Sequence, residues 1–228
     1  MMKSNKTFAL ILAGCGHLDG AEITEATALN IALTKAGYQV QFYAPDRLQQ
    51  DTLNHINGEP MEPNRNILVE AARIARGQIK PINELNLNDV SGIAMAGGFG
   101  VIKNFTNFLE KGVDATLKSD IEAQLIEALT LKKPIIAICA APMALAIALK
   151  TKGIADASIS FGKTTNAGDF LPALEAWNIT HIETALDEAH IDQKNHLITS
   201  GAYMEGNATP YEIFLGATAC VEGLEKLS

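Results

Sequence analysis

Positive charge is scarce: 18 lysines and arginines stand against 26 aspartates and glutamates, for a formal net charge of -8. That sign argues against nucleic acid or an anionic membrane surface as partner. Cysteine is scarce too. Cys15, Cys139 and Cys220 offer neither a disulfide framework nor metal-ligand spacing, which fits a reducing compartment. No apolar run reaches membrane-spanning length, and the first, Phe8 to Ala13, is too short for a secretory leader and has no cleavage region. A soluble cytoplasmic protein is the expectation. Also missing are the G-x-G-x-x-G spacing of a dinucleotide site, the full G-x-x-x-x-G-K-[ST] of a phosphate-binding loop (Gly162-Lys163-Thr164 has Ala157 where its first glycine would stand), internal repeats and low-complexity tracts.

What is present is apolar material, 47% of 228 residues, enough for one α/β domain over 1–228. The stretch that organises it is KPIIAICAAPMALAIALK, Lys133 to Lys150. Pro134 to Ile138 reads as a strand buried on both faces. From Ala140 the residues are helix formers, with Pro142 in the first turn, where its missing N–H costs nothing. Cys139 is thus placed at a sharp strand-to-helix turn, flanked by the small residues Ala137, Ala140 and Ala141 that a nucleophile elbow needs. A helix N-terminus stabilises a thiolate, so the Cys139 pKa is expected to fall.

Along the chain, Thr7 to Ala13 predicts a first strand ending in the loop Gly14-Cys15-Gly16. Asp19 as N-cap and Glu22 at N3 predict a helix running to about Ala36. Tyr38 to Tyr43 predicts a second strand. The polar segment at about 45–63, with Pro45, Gly58 and Pro63, is too long for an ordinary connection and predicts a functional loop or an oligomer contact. Asn64 to Arg76 reads as a helix whose Glu70 and Arg73 pair on a solvated face. Gly92 to Ala96 reads as a strand running into Gly97-Gly98-Phe99-Gly100, with no helix directly after. Helices are predicted over Ser119 to Leu131 and Leu171 to Trp177, and a hairpin over Glu188 to Asp192 and His196 to Ser200. Thr209, Pro210 and Glu212 cap a last helix that holds Cys220 as a core residue.

Alternating strands and helices predict a parallel sheet covered on both faces, with the ligand crevice at the carboxyl ends of its strands. The Gly14 to Gly16 loop, the Gly97 to Gly100 loop and Cys139 all end there. Glu22 is placed to share a proton with the Cys139 thiol, Gly97 and Gly98 let backbone approach a ligand, and the Gly98 and Ala140 N–H groups can form an oxyanion hole. His17, near the same crevice, is a candidate base, and Cys15 a candidate pocket residue or resolving thiol.

The segments GCGHLDGAEITEA, NRNILVEAARIARG, MAGGFGVIKNF, ICAAPMALA and ITSGAYM, in that order over nearly the whole chain, resemble the ElbB glyoxalases, or enhancing lycopene biosynthesis proteins, of the PfpI superfamily. The resemblance implies a flavodoxin-like three-layer sandwich with a mainly parallel sheet, class I glutamine amidotransferase-like. It also implies a cysteine nucleophile working with no cofactor and no metal, a small dicarbonyl substrate and a homodimer. On matching positions it makes Cys139 the nucleophile, Glu22 the acid/base partner, and Gly98 and Ala140 the oxyanion donors. Two departures stand out. Many superfamily members carry histidine directly after the cysteine, where this chain has Ala140. The late His-x-Glu of glutamine amidotransferases is mimicked by His181-Ile182-Glu183, but ahead of the terminal hairpin, as a strand with solvent-facing polar residues. The implied chemistry converts glyoxal, or a related 1,2-dicarbonyl, to a 2-hydroxy acid through a cysteine hemithioacetal, with protein deglycation as a variant and a link to isoprenoid production. A redox-responsive regulator using Cys139 and Cys15 is the alternative.

Overall fold

A computed structural model describes residues 6–227. The elements follow in order: β1 (Thr7–Ile11), α1 (Ile23–Lys35), β2 (Gln39–Ala44), α2 (Ile67–Ile74), β3 (Ile79–Pro81), β4 (Gly92–Met95), α3 (Phe108–Lys111), α4 (Ser119–Thr130), β5 (Ile135–Ile138), α5 (Ala141–Lys152), β6 (Ser158–Ile159), α6 (Leu171–Ala176), β7 (Thr180–His181), β8 (His190–Asp192), β9 (Leu197–Ser200) and α7 (Pro210–Glu222). Seven strands form one sheet in the order β3-β2-β1-β4-β5-β9-β8, every neighbouring pair parallel except β8 with β9. β6 and β7 pair separately.

The sequence builds this sheet for a simple reason. β4 and β5 are apolar at every position and fully buried, as strands covered on both faces must be. From β1 the chain steps outward to β2 and β3, then returns to β4 and steps the other way to β5. Right-handed crossovers in opposite directions put α1 and α4 on opposite faces. The reversal lies between β1 and β4, and in open α/β sheets the crevice beyond such a reversal is where ligands bind. α5, apolar all round from Ala141 to Leu149, is buried all round. Its C-terminal turn closes on Gly153 in the left-handed conformation. The predicted capping box of α7 is present: Thr209 and Glu212 each hold the other's backbone N–H.

Three local expectations are corrected. α1 begins at Ile23 with Glu22 as its N-cap, while Asp19 is buried and accepts from the Leu53 N–H at 2.7 Å. α2 begins at Ile67 under an Asn66 cap. A π-helical turn, Val101–Phe105, directly follows the Gly97 to Gly100 loop. The expected Glu70–Arg73 pair is present at 3.0 Å, and Arg65 joins it at 3.2 Å, with the Glu70 side chain buried rather than solvated as expected.

The π turn places Asn104, an unforeseen organiser. Its side-chain amide donates to the carbonyls of Ala13 and Asp19, both at 2.9 Å, and its oxygen accepts the Gln50 N–H at 2.9 Å. One buried side chain therefore ties the β1–α1 loop to the 45–63 segment. Lys103 adds a second tie, from Leu18 O to the Asp51 carboxylate. Asn104→Ala strands two buried carbonyls, of Ala13 and Asp19, each costing on the order of 1–3 kcal/mol, and frees the part-buried Gln50 N–H. Urea unfolding is expected to register a loss of at least ~2 kcal/mol, with hydrogen exchange accelerated in both tied segments.

Candidate active site

Cys139 follows the last residue of β5 and adopts φ of 58°, the left-handed region that a non-glycine residue enters at a cost. The turn is held from below by its own N–H, which donates to Ser200 O on β9 at 2.9 Å. Such a conformation needs bare neighbours. A Cβ on Gly97 would lie 2.5 Å from the Cys139 Cβ and 2.9 Å from its Sγ, so glycine there is a steric requirement. Gly98, at φ of 94°, packs equally tightly on the backbone of Gly20 to Glu22. Backbone bonds from Glu22 N to Gly97 O and Gly100 N to Gly20 O, both at 3.0 Å, fasten the β4 loop to the β1 loop.

The Gly98 and Ala140 N–H groups both act on the Cys139 thiol in the direction that favours its thiolate. The carboxyl on the thiol, however, belongs to Glu25 and not to Glu22. Glu25 is completely buried on α1; Oε2 accepts the Gly97 N–H at 2.8 Å and Oε1 the Tyr203 N–H at 3.2 Å. Glu22 caps the helix instead, accepting the Glu25 N–H at 2.7 Å, with its side chain at the cavity wall. Capping fixed its side chain, and the next turn of the helix carried the carboxylate inward. A charged residue in the same stripe as the buried Ala28, Leu29 and Ala32 was the signal in the sequence.

Burial pushes the Glu25 carboxyl up to about 7, and the nearby Glu22 carboxylate adds to the rise. The Cys139 thiol is likewise pushed well above the ordinary thiol value, by burial first and by the Glu25 charge second. The expected fall is thus corrected. Two amide donors favour the thiolate, but desolvation beside a carboxylate outweighs them. At rest the thiol keeps its proton, with the Glu25 carboxyl acting on it.

A cavity of about 420 Å³ opens over this pair. His17, Glu22, Gly98, Cys139 and Ala140 line it from the predicted set, with Tyr203 and Met204 from the turn after β9. His17 also packs edge-on against His55, ring centroids 5.2 Å apart, which brings the 45–63 segment to the rim. Cys15 is not in the lining. Burial raises its pKa, and the charges that act on it, Glu70, Arg73, Asp19 and Arg65, also lie off the cavity wall. Gly97 serves from behind, through its bond to Glu25. Nor do His181 and Glu183 approach Cys139. The His181 ring is partly buried against Phe161, a departure from the solvent-facing expectation, and Glu183 accepts the Thr164 N–H at 2.7 Å. Cys220 is core, as expected, its thiol pushed up to about 12 by burial. Among the described residues, no group of three or more histidine, cysteine, aspartate or glutamate side chains is placed to hold a metal ion.

No family model matches the chain. It is 37% identical over 203 residues to the ES1 protein homolog, mitochondrial, of Rattus norvegicus, covering 86% of this chain and 74% of that protein. The glutamine amidotransferase-like class 1 domain-containing protein 3, mitochondrial, of Homo sapiens is 36% identical over 210 residues, covering 89% of this chain and 76% of that one. The chain belongs to the ES1 family of class 1 glutamine amidotransferase-like proteins.

A solved structure agrees over nearly the full length. The isoprenoid biosynthesis protein with amidotransferase-like domain from Ehrlichia chaffeensis superposes with a TM-score of 0.87 at 29% identity, over 97% of this chain and all of that one. Glyoxalase III from Candida albicans shares the fold at a TM-score of 0.62 and 13% identity, over 98% of this chain and 97% of that one. The sheet is accordingly the class I glutamine amidotransferase-like one. One expectation is overturned here: the ES1 relatives from rat, human and Danio rerio are all named as mitochondrial, which conflicts with a cytoplasmic location. Acidic composition and unpaired thiols fit any reducing compartment and do not separate one from another.

Proposed function

We propose that this ES1-family chain is a cofactor-independent glyoxalase of the ElbB type, converting a 1,2-dicarbonyl to a 2-hydroxy acid. The observation that carries the reading is the Cys139 thiol, set by a left-handed strand-to-helix turn at the wall of the cavity, with the buried Glu25 carboxyl, pushed up to about 7, acting on it. A base near neutrality suits both taking and returning a proton. Cys139 Sγ attacks the aldehyde carbon as Glu25 takes the thiol proton, and the Gly98 and Ala140 amides hold the oxyanion. Glu25 returns that proton to the oxygen, giving the hemithioacetal. It then removes the C–H proton of the same carbon and delivers it to the neighbouring carbon through an enediol. The resulting thioester is hydrolysed, releasing the hydroxy acid and restoring the thiol. The aldehyde carbon is oxidised and its neighbour reduced, so no external electron carrier enters the balance.

Likeness to the Ehrlichia protein supports the ElbB assignment and the link to isoprenoid production, and fold kinship with glyoxalase III supports the reaction class. The ElbB reading also includes a homodimer, to be read by sedimentation velocity at twice the chain mass. The decisive test is glycolate formation from glyoxal by metal-free protein without glutathione. Cys139→Ala is expected to reduce it to the background rate; equal rates in the two proteins would overturn the proposal.

A further inference from the structure

The wall of the cavity is a poor match for glyoxal, the smallest dicarbonyl. Beyond the catalytic groups it is built from Phe99, Ile102, Phe108, Leu109, Phe170 and Met204. Phe99 and Leu109 remain 53% and 66% exposed in that lining. A volume of about 420 Å³ lies in the range that encloses ligands much larger than a two-carbon aldehyde. Charge is as one-sided as polarity. Glu22 and Asp169 both face the cavity, Glu25 lies beneath it, and no lysine or arginine lines it among the described residues.

Resting on the glyoxalase reading, we propose that the cavity selects carbonyl compounds with an uncharged aromatic or other apolar substituent, and rejects those carrying a carboxylate. The reacting aldehyde sits at Cys139, and the substituent lies along Phe108 and Phe170, themselves packed edge-on with ring centroids 5.7 Å apart. An anionic substituent would meet Glu22 and Asp169 with no lysine or arginine among the described lining residues to offset them. Burial of the remote group supplies binding energy that glyoxal cannot offer. For phenylglyoxal the steps balance as for glyoxal: the sulfur adds to the aldehyde carbon, its hydrogen passes to the ketone carbon, and water releases mandelate.

Two measurements on the full chain test this. The first compares kcat/KM for glyoxal, phenylglyoxal and 4-carboxyphenylglyoxal. Phenylglyoxal is expected to exceed glyoxal by roughly tenfold or more, and its carboxylated form to fall at least roughly tenfold below it. Phe170→Ala should narrow the first ratio and Asp169→Asn the second. The second measurement uses Cys139→Ala, in which no turnover occurs, and follows binding of acetophenone and of benzoate by ligand-observed NMR; acetophenone alone should bind. Turnover with equal kcat/KM across the three substrates overturns the selectivity and leaves the glyoxalase reading standing. No turnover of any dicarbonyl, with acetophenone still preferred, overturns the glyoxalase reading and keeps the selectivity. Equal binding of benzoate, or no binding of acetophenone, overturns the inference in either case.

Discussion

Glu25→Gln is expected to lower kcat/KM for a dicarbonyl by roughly 10²–10⁴-fold while making Cys139 easier to alkylate. The two effects point in opposite directions because the carboxyl has two relations to the thiol. As a base it accepts the thiol proton and shuttles the carbon-bound one, and an amide can do neither. As a buried charge it is the second cause, after burial, of the raised thiol pKa, and an amide removes that charge. Iodoacetamide rates measured against pH should therefore show the Cys139 midpoint moving to lower pH in Glu25→Gln, though burial keeps it above that of a free thiol. Glu22→Gln makes the contrast. It keeps an oxygen for the Glu25 N–H and removes a charge that helps raise Glu25. Its acid limb should move to lower pH with only a modest loss at the optimum. If Glu22→Gln rather than Glu25→Gln abolished turnover, the assignment of the base would be wrong.

The second large effect is on stability. Glu25 ionises at about 7 in the folded chain against an ordinary value of 4.5. Between those values the native protein holds a proton that the unfolded chain has released, so stability falls as pH rises through the window. It is fully present below about pH 4.5 and levels off above about pH 7. The shift corresponds to about 3 kcal/mol, or roughly 6–12 °C in Tm for a chain of this size. Glu25→Gln removes the titration. Its amide nitrogen would face a donor at Gly97 or Tyr203, which costs a bond at every pH and so adds an offset without a slope. The difference in Tm between wild type and Glu25→Gln, followed from pH 4.5 to 8, should thus move against the wild type. A flat difference would show that Glu25 ionises normally. The raised Cys139 thiol extends the trend: above about pH 9 the unfolded thiol ionises while the native one does not, and further stability is lost.

Much of the architecture was legible because burial writes itself into composition. The Ile135 to Ile138 run, the all-apolar α5 and the Thr209-Pro210-Glu212 cap each carry a local signal that tertiary contacts reinforce. Cys139 was legible for the same reason, since an apolar strand running directly into a helix leaves no room for a loop. The buried carboxylate beside it was not. Asp19 and Glu22 have capping-box spacing, and with Asp19 as the cap the helix would begin a turn too early; starting at Ile23 it takes Glu22 as its cap, and Glu25, one turn on, is the carboxylate that is buried. The direction of the thiol shift was misread because a helix N-terminus is visible in sequence, whereas desolvation by residues from β4, α1 and the turn after β9 is not. The aromatic wall of the cavity was hidden for a similar reason. Phe99, Phe108, Phe170 and Tyr203 come from four separate segments with no spacing in common.

The two ends of the seven-stranded sheet carry a consequence for solubility. At one end β3 is only three residues long and finishes in Pro81, which has no N–H to offer an incoming strand. At the other end, β8 turns the buried carboxylate of Asp192 onto the Ser158 N–H and the Asn195 amide, at 2.9 and 2.8 Å. A foreign strand arriving there would have to displace a charge from its partners. Both margins of the sheet are thereby closed to edge-to-edge growth. The apolar strands that build the core therefore offer no ready edge to an incoming strand of another copy.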